Sequence, residues 1–140
     1  MNYRVSCGVD RPCQKQGFVI EQSGKTEKEV VMKLYSDNLK ESVLDCIYHA
    51  LKEVKPLVKH EDVVIVEVQN AHLVDWLSGL VEYKGYEKEL DLVFEVLESI
   101  DCRYRFVFCK TPFIKKYLRG MELTETLKTS SIKDLMGEFV

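Results

Sequence analysis

The run Val63-Val64-Ile65-Val66-Glu67-Val68 constrains this chain more than any other stretch. Apart from Glu67 every residue in it is β-branched, and an almost unbroken run of that kind reads as a strand covered on both faces and paired in parallel. Such a strand is central to its sheet. A parallel neighbour requires a crossover of about a dozen residues or more, which in a short chain is supplied by helices. The expected class is therefore α/β.

The chain before this strand supplies its neighbours. Residues 3–9, 17–22 and 29–35 read as three strands separated by turn-forming residues, with Gln22-Ser23-Gly24-Lys25 suited to a hairpin turn. Their short connections favour an antiparallel meander. From Asp37 the period changes: Leu39, Val43, Ile47, Ala50, Leu51 and Val54 recur at helical spacing, Asp37 or Ser36 is placed to cap the start, and Pro56 closes the pattern.

Beyond the central strand, residues 71–80 form a short helix with Leu73, Val74 and Leu77 inward. A second helix over 87–100 buries Leu90, Val93, Phe94, Leu97 and Ile100. Residues 103–108 alternate as a fifth strand, one face apolar and the other carrying Arg103, Arg105 and Val107. Pro112 is suited to start a helix through Leu118, and Gly120 to end it. Strands one to three are expected to be antiparallel, with four and five added in parallel beside strand one.

With 140 residues, 46% of them hydrophobic, the chain can bury one core and not two. One domain over residues 1–120 is expected, followed by an extension over 121–140. In the extension Ile132, Leu135, Met136 and Phe139 share one face of a short helix capped by Ser130 or Ser131. That apolar stripe needs a cover: its own domain, a second copy in a homodimer, or another protein.

A formal net charge of -3 gives no global attraction to nucleic acid or to an anionic membrane, so any such binding rests on local patches. The sequence has no apolar stretch of the roughly 18 to 20 residues that span a bilayer, and Met1 leads into strand-like sequence rather than a signal peptide. A cytoplasmic protein with no membrane partner is expected. Cys7, Cys13, Cys46, Cys102 and Cys109 are odd in number and lack a Cys-x-x-Cys pair, as expected of reduced thiols.

The order strand, strand, strand, helix, strand, helix, helix, strand, helix resembles the type 1 ribonuclease H domain over roughly residues 3–119. Asn38-Leu39-Lys40-Glu41 is similar to that family's Asn-x-x-Glu at the first helix, which implies a metal-ligand position for Glu41. Asp91-Leu92-Val93-Phe94 looks like its Asp-Leu-Trp helix. The resemblance further implies five mixed strands flanked by helices, and two divalent ions held by acidic residues, because magnesium is a hard cation that takes oxygen ligands.

Those acids are mostly missing. Ser6-Cys7-Gly8 stands where the family has Thr-Asp-Gly, placing Cys7 at the first ligand, and a thiol is a poor magnesium ligand. Val68-Gln69-Asn70 stands where Thr-Asp-Ser is expected, placing uncharged Gln69, or Asn70 in a shifted register, at another. The segment 112–118 carries Lys115 and Lys116 and no acid. Glu41 alone persists, so the expected protein is a catalytically degenerate binding or adaptor module, without cofactor, for nucleic acid or a protein partner. The alternative is a divergent nuclease using magnesium or manganese on Glu41 and Asp10. That rescue needs the first strand to run three residues further, which Arg11-Pro12 and the short distance to Gly17 oppose.

Residues 102–120 hold Arg103, Arg105, Lys110, Lys115, Lys116 and Arg119 without an acid, interleaved with Tyr104, Phe106, Phe108, Phe113 and Tyr117. Two readings stand: phosphate contacts plus stacking platforms for a single strand, or core aromatics with a solvated basic face. Residues 61–101 are acidic where the resembled family often has a basic handle, which argues against hybrid binding through that handle. Cys7 and Cys13 with His72 match no zinc template.

Overall fold

The computed structural model describes residues 2–79, 85–110, 118–120, 122 and 123. Among them run β1 (Asn2–Asp10), β2 (Lys15–Gln22), β3 (Lys25–Lys33), α1 (Leu39–Val54), β4 (Val63–Val68), α2 (Ala71–Leu77), α3 (Glu87–Glu98), β5 (Arg103–Phe108) and a 3-10 turn, Leu118–Gly120. The sheet order is β3-β2-β1-β4-β5. β1 and β2, and β2 and β3, pair antiparallel, whereas β4 lies parallel to both β1 and β5. The expected mixed sheet is found; β4 is an interior strand paired on both sides, while β1 holds the middle of the order. The segment from Pro112, with Lys115 and Lys116, and the apolar stripe of 121–140 lie outside the described residues.

Four local features differ from the sequence expectation, each for a physical reason. β1 does not stop at Val9 but pairs through Asp10, opposite Lys15. The connection closes because Gln14 N–H donates to the Arg11 carbonyl at 3.0 Å, with Pro12 at the turn position its fixed φ favours and Gln14 at φ 56°. β3 starts at Lys25 instead of Glu29, since Ser23 and Gly24 both take positive φ (52° and 80°), as a two-residue hairpin turn requires.

The cap of α1 is Asn38, not Asp37 or Ser36: its side-chain oxygen accepts from Glu41 N–H at 3.2 Å. The fourth difference is in β5, where of the aromatic face only Phe106 is buried, while Tyr104 (43%) and Phe108 (53%) are exposed. Among the described residues β5 is an edge strand, with no strand beyond it.

The main core lies between α1 and one face of the sheet. Val5, Cys7, Val9, Phe18, Ile20, Val64, Val66 and Val68 meet Leu44, Ile47 and Leu51 of α1, with Leu90, Val93 and Leu97 of α3 behind. Each such side chain contributes about 1.5–3 kcal/mol when fully buried. On the opposite face a smaller cluster forms where Leu118 packs on Val19 and Val31 beside Cys13. That contact fixes the 3-10 turn against the sheet.

Gly17 makes this close approach possible. A Cβ there would sit 2.4 Å from the Val30 carbonyl oxygen and 3.1 Å from a Leu118 methyl. Inside the core Gln16 donates to Asp45 at 2.8 Å and accepts from Tyr35 N–H at 2.9 Å.

Candidate functional site

Parallel pairing of β1 with β4 brings the ends of both strands together beside the start of α1. There Asp10, Arg11, Pro12, Leu39, Gln69 and Arg119 line a cleft of about 290 Å³, with Val9 at its floor. Leu39, Gln69 and Arg119 come from distant parts of the chain, and the sheet, α1 and the 3-10 turn make them neighbours.

Asp10 is nearly buried, with a side-chain exposure of 6%, and accepts a hydrogen bond from Arg119 Nε at 2.7 Å. The Arg119 guanidinium holds the Asp10 carboxyl below the usual carboxylate range, against the opposing effect of burial. The Cys13 thiol, 3.6 Å away, donates to the Asp10 backbone carbonyl. The 3-10 turn delivers Arg119 because the adjoining Leu118 is buried.

Gln69 is bound to β1 rather than projecting freely. Its side-chain oxygen accepts from Val9 N–H at 2.9 Å and its amide nitrogen donates to the Val9 carbonyl at 3.3 Å. A carboxylate at position 69 has no N–H and could make only one of these bonds. Asn70 caps α2, its side-chain oxygen accepting from Leu73 N–H at 3.1 Å.

Glu41 closes a variant of the capping box. Its carboxylate accepts from Ser36 Oγ at 2.6 Å, and that hydroxyl oxygen in turn accepts from Asn38 N–H at 3.1 Å. The Asn38 and Glu41 spacing thus has a complete helix-capping explanation. Cys7, placed at the first ligand position by sequence, is buried in the main core on the α1 side of β1. There it lies beside Cys46, whose thiol is pushed well up by burial and by Cys7.

Of Cys7, Glu41, Gln69 and Asn70, only Gln69 lines the cleft. The cleft gathers Asp10, Gln69 and Arg119, the last of which the sequence shows only as part of a basic tract. The one signal for it was an arginine directly after the apolar residue that ends an amphipathic segment. No group of three or more His, Cys, Asp or Glu side chains suited to a metal ion occurs among the described residues. A pair of hard divalent ions requires several anionic oxygens converging on one point. The donor set here offers one carboxylate already occupied by a guanidinium and one amide occupied by backbone, so the residues described do not fit such a pair.

The second candidate surface is β5. Tyr104, Phe106 and Phe108 share the sheet face of Val64, Val66 and Val68, their partners in register, while Arg103 and Arg105 occupy the other face and are exposed. Tyr104 and Phe106 rings meet edge to face with centroids 5.9 Å apart. Lys110 is exposed just beyond the strand. The core reading of the aromatics thus holds for Phe106 and fails for Tyr104 and Phe108.

No family model matches the sequence, and no curated protein matches it. Solved structures do. A ribonuclease H1 isolated from compost by a metagenomic approach, solved in complex with an RNA/DNA hybrid, superposes with a TM-score of 0.63 at 13% identity over 84% of this chain and 91% of that one. The N-terminal ribonuclease H domain of a Mycobacterium tuberculosis protein gives 0.65 at 12% identity over 84% and 89%. The ribonuclease H1 of the halophilic archaeon Halobacterium salinarum gives 0.57 at 12% over 77% and 83%. The fold of this chain is ribonuclease H-like, with the five-stranded mixed sheet of those structures. Among the described residues no helix is long and apolar enough to cross a membrane.

Proposed function

We propose that this chain is a catalytically degenerate ribonuclease H-like module that binds nucleic acid. The observation that carries this reading is the Asp10 and Arg119 ion pair, which puts a cation against the carboxylate best placed to hold a metal ion. The β5 edge supports the binding half. It presents Tyr104 and Phe108 as stacking surfaces about 13 Å apart along the strand, with Arg103 and Arg105 behind them for phosphates. A fold neighbour solved with an RNA/DNA hybrid adds support for nucleic acid as the partner class. No cofactor is needed for this activity.

A second reading, a divergent nuclease using magnesium or manganese on Glu41 and Asp10, gains from one observation: β1 does extend to Asp10. One set of samples separates the two. A labelled single strand and an RNA/DNA hybrid are titrated with the protein across a salt series, then incubated with magnesium or manganese. The binding module gives salt-sensitive binding, weakened by Arg103→Ala, Arg105→Ala, Lys115→Ala and Lys116→Ala, and intact strands. Cleavage abolished by Glu41→Gln would establish the nuclease instead. Neither binding nor cleavage, with a homodimer or a captured protein through residues 121–140, would make the chain a protein adaptor.

A further inference from the structure

The cleft at the ends of β1 and β4 carries charge of the sign opposite to what metal chemistry would need. Its walls hold two guanidinium groups, Arg11 and Arg119, against the single carboxylate of Asp10. Leu39, the first residue of the 16-residue helix α1, lines the same wall, so the positive end of that helix lies at the cleft. The acid in the first turn, Glu41, is engaged by Ser36.

Both arginines are also held in place while keeping donors in reserve. Arg11 donates from one terminal nitrogen to the Asp37 carbonyl at 3.2 Å, which ties the β1 to β2 turn to the entry of α1. Arg119 donates from Nε to Asp10, its side chain remains 68% exposed, and the buried Leu118 anchors the turn that carries it. Among the described residues the two terminal nitrogens of Arg119 form no other bond, and a guanidinium presents five N–H donors in a fixed fork. Such forks match phosphate oxygens.

From this we infer that the cleft takes a phosphodiester group of a nucleic acid strand directly on Arg11 and Arg119, without a metal ion. The volume of about 290 Å³ lies at the lower limit of small-ligand sites, which suits one phosphate group rather than a base pair. Asp10 acts as a brake: it orients Arg119 and offsets part of its charge. The inference rests on the nucleic-acid reading above and adds to it the contact point and its independence of metal.

The test is fluorescence anisotropy of a labelled 12-nucleotide single strand with the full chain, across a salt series, in EDTA and in magnesium. Arg11→Ala and Arg119→Ala should each weaken binding about threefold to tenfold and lower the slope of log affinity against log salt by about 0.7. Asp10→Asn should tighten binding, because it removes the anion that offsets Arg119 while its amide oxygen can still hold Nε. Because Arg119→Ala leaves Asp10 buried and unpaired, the double variant Asp10→Asn with Arg119→Gln is measured too. It removes both charges together and should lose the gain of Asp10→Asn.

Affinity should be no higher in magnesium than in EDTA, because a divalent cation only competes for the phosphates. Binding that needs magnesium, or that stays at wild-type strength and slope in all four variants, would overturn the inference while leaving the binding module intact. Absence of any binding would remove both. Inorganic phosphate is titrated as a separate arm, and heat from it alone, with the strand unaffected by the variants, would make the cleft a free-anion site and overturn the assignment to a strand.

Discussion

The side chain of Gln69 continues the sheet past the end of β4: it accepts from Val9 N–H at 2.9 Å and donates to the Val9 carbonyl at 3.3 Å, as a backbone amide would. The residue directly after β4 is thereby part of the strand ladder. The end of β1 is joined to the residue after β4 by two neutral hydrogen bonds.

Gln69→Ala removes both bonds and leaves a partly buried backbone pair unsatisfied. The expected cost is about 1–3 kcal/mol, read as a lower midpoint in urea denaturation. Gln69→Asp should also destabilise, since a shorter, charged acceptor cannot serve the Val9 carbonyl. An unchanged midpoint in both would show that the latch contributes nothing.

The pairing of Asp10 with Arg119 sets a pH dependence. The folded-state pKa of Asp10 is depressed, so its contribution to stability is fully present above the unfolded value of about 3.9 and is lost as pH falls through the lower folded value. Wild-type protein should lose stability in that acid range. Arg119→Ala should move the Asp10 titration upward, followed by carboxyl NMR, because desolvation then acts without its compensating cation.

Gly17 cannot accept a side chain. Its Cβ would meet the Val30 carbonyl oxygen at 2.4 Å, and backbone cannot swing aside as a flexible side chain would. Gly17→Ala should cost about 1–3 kcal/mol and loosen Leu118 from Val19 and Val31. Thermal denaturation of the variant checks this, and a change below about 0.5 kcal/mol would contradict the packing described.

The elements of the fold were legible because their signals are local. Strand-like runs over 3–9 and 17–22 bounded by turn residues, helical spacing from Leu39 to Val54 and the β-branched run at Val63 are each read within one segment, and the meander and crossover follow from connection lengths. The site was only half legible. That Gln69 and Cys7 are not acids is plain in the chain, but what Gln69 does depends on the register of β1 with β4. Pro12 looked like the end of a strand, when it occupies the turn after one. Arg119 lies 109 residues from Asp10, and nothing local links them. The exposure of Tyr104 and Phe108 depends on β5 being an edge, which its own alternation cannot reveal.

Residues of β5 should separate packing from binding. Phe106 is buried against the core, so Phe106→Ala should cost about 3–5 kcal/mol. Tyr104 and Phe108 share its face yet stand 43% and 53% exposed, so truncating either should change stability far less. If they are stacking platforms, each should weaken single-strand binding by about 1–3 kcal/mol with little change in salt dependence, because stacking releases no counterions. Arg103→Ala and Arg105→Ala should do the reverse and flatten the salt slope. Denaturant midpoints and anisotropy titrations on the same five proteins decide the matter: if Tyr104→Ala and Phe108→Ala bind as the wild type does, the β5 edge is no stacking platform, and the contact must be sought at the Arg11 and Arg119 cleft.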